Sequence, residues 1–231
     1  MTLFAWVIYP YLCLAVLVIG SLWRYDTDQL GWTAKSSEFL EKRRLRWGSL
    51  LFHWGIIFVF MGHVGGLLVP IQLTRLATSD EMYHMSAMVM GGLSGLAAFA
   101  GLVLLFLRRT TVKRVWRNTT AGDMVALVLL IIVAGLGMSI TLGYNVAVEP
   151  YEYRLTLGPW VRGLLLFHPD VSLMATVPTI IKAHVLIAFT LFAVSPFTRL
   201  VHIWSIPLAY LGRAPQQLRR RHPVSEVKRL G

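Results

Sequence analysis

The sequence predicts an all-α integral membrane protein, a bundle of five transmembrane helices in a single membrane domain over residues 1–231. Hydrophobic residues make up 56% of the chain and charged residues only 14%, and the mean hydropathy is +0.62, which is unlike a soluble domain. Five apolar runs are long enough to cross about 30 Å of hydrocarbon at about 1.5 Å per residue. Little material remains for a separate aqueous domain.

The spans are expected at about residues 3–23, 47–69, 84–107, 122–143 and 178–206, followed by a basic tail at 207–231. We expect the first span to remain a helix rather than a cleaved signal peptide, because its basic residues follow it instead of preceding it. The only cysteine, Cys13, lies within this span. The sequence therefore excludes an intrachain disulfide and a cysteine cluster for zinc, iron–sulfur or covalent haem.

Basic residues are distributed unevenly among the segments that connect the spans. Segments 24–46, 108–121 and 207–231 carry 17 lysines and arginines, whereas loops 70–83 and 144–177 carry three. The positive-inside rule then predicts that the N-terminus is outside and the C-terminus is cytoplasmic. The net charge of +11 reflects this topology, and we expect contacts with membrane lipids or a partner subunit but no nucleic acid.

Four of the seven histidines lie inside two of the spans. His53 and His63 are ten residues apart in the second span, and His184 and His202 are eighteen apart in the fifth. Burying an ionisable side chain in a membrane is energetically costly, so a functional role is the first hypothesis for these histidines. A single histidine is equally well explained by a hydrogen bond between helices. The two spans are antiparallel, so His63 is expected to face His184 in the outer half, and His53 to face His202 in the inner half.

Two histidines on facing helices are what a b-type haem needs for its axial positions. Two depth-matched pairs therefore indicate two haems stacked across the bilayer. Eighteen residues are five whole helical turns, which puts His184 and His202 on one face, whereas ten residues leave about 80° between His53 and His63. The two intervals also differ in length, so tilt or a bend near Ser195–Pro196 has to absorb the difference.

Glycines and basic residues surround these histidines. Four glycines flank the histidines of the second span: Gly55, Gly62, Gly65 and Gly66. They either let a flat macrocycle approach the backbone or permit close helix packing. Lys182 precedes His184 by two residues, and Arg199 precedes His202 by three. Haem propionates would give these cations anionic partners, and snorkelling to lipid headgroups is the alternative.

Three segments carry a resemblance to a known family: IYPYLCLAVLVIGSLWRYD, LLFHWGIIFVFMGHVGG and KAHVLIAFTLFAVSPFTRLVHIWSIP. Together they resemble the gamma subunit, a dihaem cytochrome b, of membrane-bound respiratory nitrate reductase. The resemblance covers nearly the whole chain, and its specific signal is the histidine spacing followed by H-I-W-S-x-P. It implies a multi-pass protein of the bacterial cytoplasmic membrane that anchors an iron–sulfur subunit and a molybdenum catalytic subunit on the cytoplasmic side.

The resemblance also implies an activity and a ligand set. His63 and His184 would hold the iron of the outer haem, and His53 and His202 that of the inner haem. Menaquinol or ubiquinol would be oxidised near the outer haem, its protons released outside, and its electrons passed through both haems to the partner subunits. The chain would then be the quinol-oxidising subunit of nitrate reductase (quinone) in anaerobic respiration and nitrate assimilation, with the nitrate-reducing site on a partner.

The quinol site is where the sequence departs from the family. The family has a lysine at the external start of the third span, before a motif like GGLSG, and here Met85 stands at that position beside His84. Quinol oxidation needs a proton acceptor, and imidazole titrates near neutral pH. His84 is therefore the candidate catalytic residue. The external loop around Arg154 does not align clearly, and the sequence assigns it no role.

Two other readings remain open. A cytochrome b anchor of another molybdenum or disulfide-reducing complex would use the same haem ligands, so the ligands do not distinguish these complexes, whereas a neighbouring gene for a molybdopterin subunit would. A haem-free transporter would use the histidines to relay protons and would show no Soret band. The transporter gives no reason for two depth-matched pairs on antiparallel helices.

Overall fold

The structure is a computed structural model that describes residues 2–28, 37–148 and 151–203. Within these ranges all regular structure is helical, as predicted. Five of the helices are long and apolar enough to cross a membrane: α1 (Phe4–Thr27), α2 (Arg43–Leu68), α3 (Asp80–Thr111), α4 (Ala121–Ala147) and α5 (Thr179–Phe197). The prediction of five spans is thereby confirmed, while the predicted basic tail lies outside the described residues.

Side-chain caps determine where α3 and α4 begin. Ser79 Oγ accepts a hydrogen bond from the Met82 N–H at 3.3 Å, so α3 starts at Asp80 rather than at the predicted residue 84. At α4, Thr120 and Asp123 each accept a hydrogen bond from the other's backbone N–H, which satisfies two donors at the start of the helix. One consequence is that His84 lies within the helix and not at its first residue.

The helices pack in the order α1, α5, α4, α3, α2. Tyr9 of α1 and Thr190 of α5 share a hydrogen bond of 2.6 Å between their hydroxyl groups. A short helix outside the spans, Leu157–Leu165, closes one end of the bundle through Trp160, which is fully buried and donates its indole N–H to the Trp6 carbonyl at 3.1 Å. In this order, α4 and α3 stand between α5 and α2. Helices α2 and α5 are therefore not packing neighbours.

The closest helix pair is α2 with α3, and glycines make the approach possible. A methyl group at Gly101 of α3 would lie 2.5 Å from the Phe52 nitrogen and 2.7 Å from the Gly48 oxygen of α2. At Gly55 of α2, a methyl group would lie 2.7 Å from the Ser94 oxygen of α3. These are backbone atoms, which no side-chain rotation can move. The α2–α3 contact therefore depends on small residues, as is typical of membrane helices.

The fifth helix is shorter than the predicted span 178–206, because it breaks at proline. Its α-helical part ends at Val194. Two 3₁₀ turns follow, Ser195–Phe197 and Arg199–Ile203. Pro196 lacks an N–H group, and its ring clashes with the preceding turn of an α-helix. A break therefore stands where the sequence analysis expected a bend, and His202 lies on the last 3₁₀ turn. The count of five whole helical turns between His184 and His202 does not apply across this break.

An arginine of α1 stabilises this break. Arg24 donates from Nη1 to the Pro196 carbonyl at 2.6 Å and to the Thr198 carbonyl at 2.8 Å. Carbonyls released from a helix need new donors when no water is near. The irregular end of the fifth helix is thus held by a charged hydrogen-bond donor from a helix early in the sequence.

Replacing Gly101 by alanine is expected to lower the free energy of unfolding by about 1–3 kcal/mol, because overpacking forces α2 and α3 apart. Gly91→Ala on the same helix is the matched control, since a methyl group there meets no atom of the described residues within 4 Å. Thermal midpoints of both purified variants in one detergent measure the difference. Equal midpoints for the two variants would contradict the steric account.

Candidate functional site

Two pairs of histidine rings lie between α2 and the fifth-helix region. The ring centres of His63 and His184 are 6.3 Å apart, with an angle of 25° between their planes. Those of His53 and His202 are 6.2 Å apart, with an angle of 61°. The structure brings together the same pairs that the sequence analysis matched by depth. The first pair lies toward the end of the bundle with loops 69–79 and 151–178, which we name the loop end, and the second toward the basic end with segments 37–42 and 112–120.

Each of the four rings is oriented by a backbone carbonyl at its Nδ1 atom. The distances are 2.7 Å from His53 to Ser49, 2.8 Å from His63 to Val59, 3.1 Å from His184 to Val133, and 2.6 Å from His202 to Arg199. An imidazole that donates from Nδ1 presents an Nε2 lone pair for a metal, and such a hydrogen bond also raises its basicity. All four rings therefore have the tautomer of a metal ligand.

The ring separations fit one metal atom between each pair. Two metal–nitrogen bonds of about 2.0 Å, with each nitrogen about 1.1 Å from its ring centre, place the ring centres about 6.2 Å apart. Among the described residues there is no cluster of three or more His, Cys, Asp or Glu side chains suited to a metal ion. Each pair supplies two ligands, and a haem brings the four in-plane nitrogens itself. The donor set fits two b-type haems.

The four glycines of α2 that flank the histidines, Gly55, Gly62, Gly65 and Gly66, divide into two kinds. Gly55 packs on α3, and a methyl group at Gly66 would lie 2.6 Å from the Tyr153 hydroxyl oxygen. Both therefore serve close packing. A methyl group at Gly62 or Gly65 would meet no atom within 4 Å in the described part of the chain. These two positions leave an open strip beside His63, which suits the flat face of a macrocycle.

The α4 helix positions the ring of His184. Its Val133 carbonyl holds the ring nitrogen, and a methyl group at Gly137, about one turn further, would lie 3.3 Å from the ring carbon Cε1. Gly137 therefore lets the imidazole lie against the helix backbone. The sequence analysis missed this role, because nothing in a lone glycine of an apolar span shows which ring will pack on it.

The two cations beside the histidines both have partners within the protein. Lys182 donates from Nζ to the Ala175 carbonyl at 3.3 Å. Arg199 donates from Nε to Asp123 Oδ1 at 2.6 Å. Asp123 is a residue that the sequence analysis missed, although the T-x-x-D pattern from Thr120 is the sequence signal of its helix cap.

His84 lies in the second turn of α3, at the loop end. Its Nε2 atom is buried and has no hydrogen-bond partner, a condition that it shares only with Ser21 Oγ among the described residues. Buried polar atoms are nearly always paired, so an unpaired one needs an explanation such as a missing ligand or a catalytic role. Met85, at the position of the family's lysine, is 64% exposed and offers no proton acceptor.

Arg154 holds its loop, at the loop end of the bundle, against the start of α3. Its side chain is 1% exposed and donates to Glu152, at 2.6 Å and 2.7 Å, and to Asp80, at 3.0 Å. The guanidinium also lies over the Tyr83 ring, 4.0 Å from its centre. Hydrogen bonds from Arg154 hold the pKa of Glu152 below its ordinary value, against the opposing effect of burial. No pattern in the sequence indicates this cluster, because Arg154 and Asp80 are 74 residues apart.

The same loop closes the end of α2. The Tyr153 phenol packs on Gly66, three residues beyond His63, and its burial raises the pKa of this tyrosine. Arg162 donates from Nη1 to the Leu67 carbonyl at 2.9 Å, which satisfies an acceptor in the last turn of α2. This loop is thus part of the environment of the His63–His184 pair.

At the basic end, two arginines counted in the charge bias are buried and paired. Arg108 is 2% exposed and donates to Glu41 Oε2 at 2.8 Å. Burial acts to raise the pKa of Glu41, but hydrogen bonds from the Arg44 N–H and from Arg108 outweigh it and hold that pKa below its ordinary value. Arg109 pairs with Asp123 at 2.9 Å. These two cations stabilise the fold as well as contributing to the charge bias.

Known proteins share this chain's sequence over nearly its full length. A family profile described as nitrate reductase gamma subunit matches residues 2–221. The nitrate reductase gamma chain of Bacillus subtilis (strain 168) is 44% identical over 217 residues, covering 94% of this chain and 97% of the relative. The respiratory nitrate reductase 1 gamma chain of Escherichia coli (strain K12) is 37% identical over 223 residues, covering 96% and 99%.

A more distant relative has a different name. The Hdr-like menaquinol oxidoreductase cytochrome b-like subunit of Archaeoglobus fulgidus is 26% identical over 180 residues, which cover 76% of this chain and 52% of the relative. The similarity therefore extends, at lower identity, to a cytochrome b-like subunit of another kind of complex.

Substituting Arg154 by glutamine is expected to lower the free energy of unfolding by about 1–3 kcal/mol, because the buried side chain loses its charged hydrogen bonds to Glu152 and Asp80, while both carboxylates keep access to solvent. Arg75→Gln is the matched control: Arg75 also pairs with Asp80, but its side chain is 52% exposed, so solvent screens this pair and a smaller loss of stability is expected. Thermal unfolding of the purified variants tests this. A larger loss for Arg75→Gln than for Arg154→Gln would refute the assignment.

Proposed function

Because this chain belongs to the nitrate reductase gamma subunit family, we propose that it oxidises quinol in the membrane and delivers the electrons to the reducing subunits of a respiratory nitrate reductase. As a family member it is a multi-pass membrane subunit of a nitrate reductase complex, which implies catalytic and electron-transfer partner subunits. The finer proposal concerns cofactors, substrate and sidedness, and it is carried by the geometry of the two histidine pairs.

His63 and His184 are proposed to hold the iron of an outer haem, and His53 and His202 that of an inner haem. The observation that carries this is the separation of both ring pairs by 6.2–6.3 Å, supported by a backbone partner for every Nδ1 atom. Two b haems supply, when bound, one-electron redox centres at two depths of the bilayer. The protein's own contribution is to fix four imidazoles in position and tautomer.

Lys182 and Arg199 are proposed to stabilise the anionic propionates of these haems. Each lies within three residues of a ligand, and Arg199 has five N–H donors, of which Nε–H serves Asp123. Charge-assisted hydrogen bonds of this kind are the stronger ones in proteins. Both residues would therefore help to retain the cofactors, without taking part in the reaction itself.

The basic end is proposed to be cytoplasmic and the loop end external, in a bacterial cytoplasmic membrane. The support is the charge bias of the connecting segments. On this orientation, an iron–sulfur subunit and a molybdenum subunit dock at the basic end, where His53 and His202 lie. Menaquinol or ubiquinol reacts at the loop end, and its two protons leave on the outside while its two electrons go to the cytoplasmic side.

His84 is proposed to accept a proton from the quinol hydroxyl at Nε2. The support is the burial of this atom without a partner in the second turn of α3. A quinol hydroxyl would supply the missing hydrogen bond, and the imidazole would take the proton as the electrons leave. In this chain, the histidine then performs the task for which the family has a lysine at the next position.

An anchor of another molybdenum or disulfide-reducing complex is the second candidate function. The similarity to the Archaeoglobus fulgidus cytochrome b-like subunit favours it, and the same histidine pairs would serve there. Copurification of partner subunits from the native membrane separates the two functions. A molybdenum subunit with nitrate-reducing activity supports the first, and a disulfide-reducing partner supports the second.

His63→Ala is expected to reduce the haem content from two b haems per chain to one, because it removes an axial ligand of the outer site. Reduced-minus-oxidised spectra with haem quantification of the purified chain measure this. His168→Ala is the control, since His168 is exposed in the external loop. A wild-type stoichiometry other than two, or full haem content in His63→Ala, overturns the proposed ligand set.

His84→Ala is expected to slow quinol-dependent haem reduction by about 100-fold or more, the range that a general base contributes, while reduction by dithionite stays complete. Stopped-flow spectroscopy of the membrane-embedded chain with a quinol analogue measures the rate. Met85→Ala controls for disturbance of the same turn. We would abandon the role of His84 if both variants reduced their haems at the wild-type rate.

A further inference from the structure

His202 differs from the other three histidines in how the fold positions it. His53 and His63 lie within α2, and His184 lies within α5, so continuous helical backbone sets their places. His202 lies beyond the break at Pro196, on the 3₁₀ turn Arg199–Ile203. A short turn of this kind has weaker internal hydrogen bonding than an α-helix. Contacts from other helices must therefore determine where this imidazole stands.

Arg199 connects this turn to the rest of the protein at two atoms. Its carbonyl oxygen accepts the hydrogen bond from His202 Nδ1 at 2.6 Å. Its Nε–H donates to Asp123 Oδ1 at 2.6 Å. One residue thus joins the imidazole, through its main chain, to a carboxylate on α4, through its side chain.

Asp123 is itself fixed from three directions. Its side chain is 8% exposed, and its second oxygen, Oδ2, accepts from Arg109 Nη1 at 2.9 Å and from the Thr120 N–H at 3.1 Å. It lies in the first turn of α4, where the helix dipole also favours a negative charge. Because these contacts fix the Asp123 carboxylate, its hydrogen bond to Arg199 also fixes the position of the Arg199 side chain.

We propose that Asp123 is a positioning residue for the inner haem: through its ion pair with Arg199 it fixes the turn that presents His202 opposite His53. The inference rests on the proposed haem ligation and adds a residue to it that binds neither iron nor quinol. Loss of the carboxylate frees the Arg199 side chain, the turn then moves, and the inner iron loses its second imidazole. The outer site, built from continuous helices, is unaffected.

The test is Asp123→Asn in the full-length chain, purified from membranes and compared with wild type by haem quantification, reduced-minus-oxidised spectra and redox titration with dithionite. The expected result is selective damage at the inner haem: the content falls from two haems toward one, or the inner haem's midpoint potential shifts while that of the outer haem stays. Two haems with wild-type potentials would overturn the proposal. Enzymatic turnover is not needed for any of these readouts.

Two controls separate positioning from general stabilisation. Asp80→Asn removes another carboxylate that accepts from two arginines, Arg75 and Arg154, and is expected to leave the inner haem intact. Arg109→Gln removes the other side-chain partner of Asp123 and is also expected to retain the inner haem, because the pair with Arg199 persists. Inner-haem damage of equal size in both controls would overturn the proposal.

A second variant tests the proposal in case Asp123→Asn does not fold. Arg199→Gln breaks the same ion pair from the other side and also removes the proposed propionate contact of Arg199, so a selective loss of the inner haem at least as large as in Asp123→Asn is expected. If neither variant accumulates with its outer haem in place, the pair serves folding rather than positioning, and the proposal is overturned. A wild-type chain without two b haems would instead refute the proposed function, so the two failures are distinguishable.

Discussion

The structure depends on one constraint: two imidazole pairs must be held about 6 Å apart between helices that are not packing neighbours. The bundle order separates α2 from α5 by two helices, so direct packing of these two helices does not set the distance. The distance between the imidazoles is set instead by neighbouring elements. Helix α4 positions the His184 ring, and α3 packs closely on α2. Arg24 and Asp123 hold the end of the fifth helix. Most contacts described above act on one of these four rings.

Charged residues hold the two ends of the bundle in the same way. At each end, a carboxylate in the first turn of a helix accepts hydrogen bonds from two arginines: Asp80 from Arg75 and Arg154, and Asp123 from Arg109 and Arg199. Each cluster joins segments that are far apart in the sequence. Its directional hydrogen bonds specify how these segments are oriented, which an apolar contact alone would not do. The middle of the bundle, by contrast, relies on glycine packing and on imidazole–carbonyl hydrogen bonds.

Local patterns were enough to predict the five spans and the pairing of the histidines by depth, because hydropathy and residue spacing are properties of single segments. The sequence did not reveal the roles of Asp123, Arg154 and Gly137, because each role depends on a distant residue: Arg199 is 76 residues from Asp123, Asp80 is 74 residues from Arg154, and the ring that packs on Gly137 belongs to another span. The break at Pro196 was expected as a bend, yet its effect on the helical phase of His202 was missed. Pro196 ends the α-helix, so residue counting across it loses its geometric meaning.

The glycine contact between α2 and α3 also fixes a distance that matters to the proposed chemistry. His63, a proposed ligand of the outer haem, belongs to α2, and His84, the proposed proton acceptor, belongs to α3, so the two residues stand on different helices. Because the two backbones touch at Gly48, Gly55 and Gly101, neither helix can slide or rotate without a steric clash. The tight α2–α3 contact therefore holds the proposed haem ligand and the proposed proton acceptor in a constant relative position.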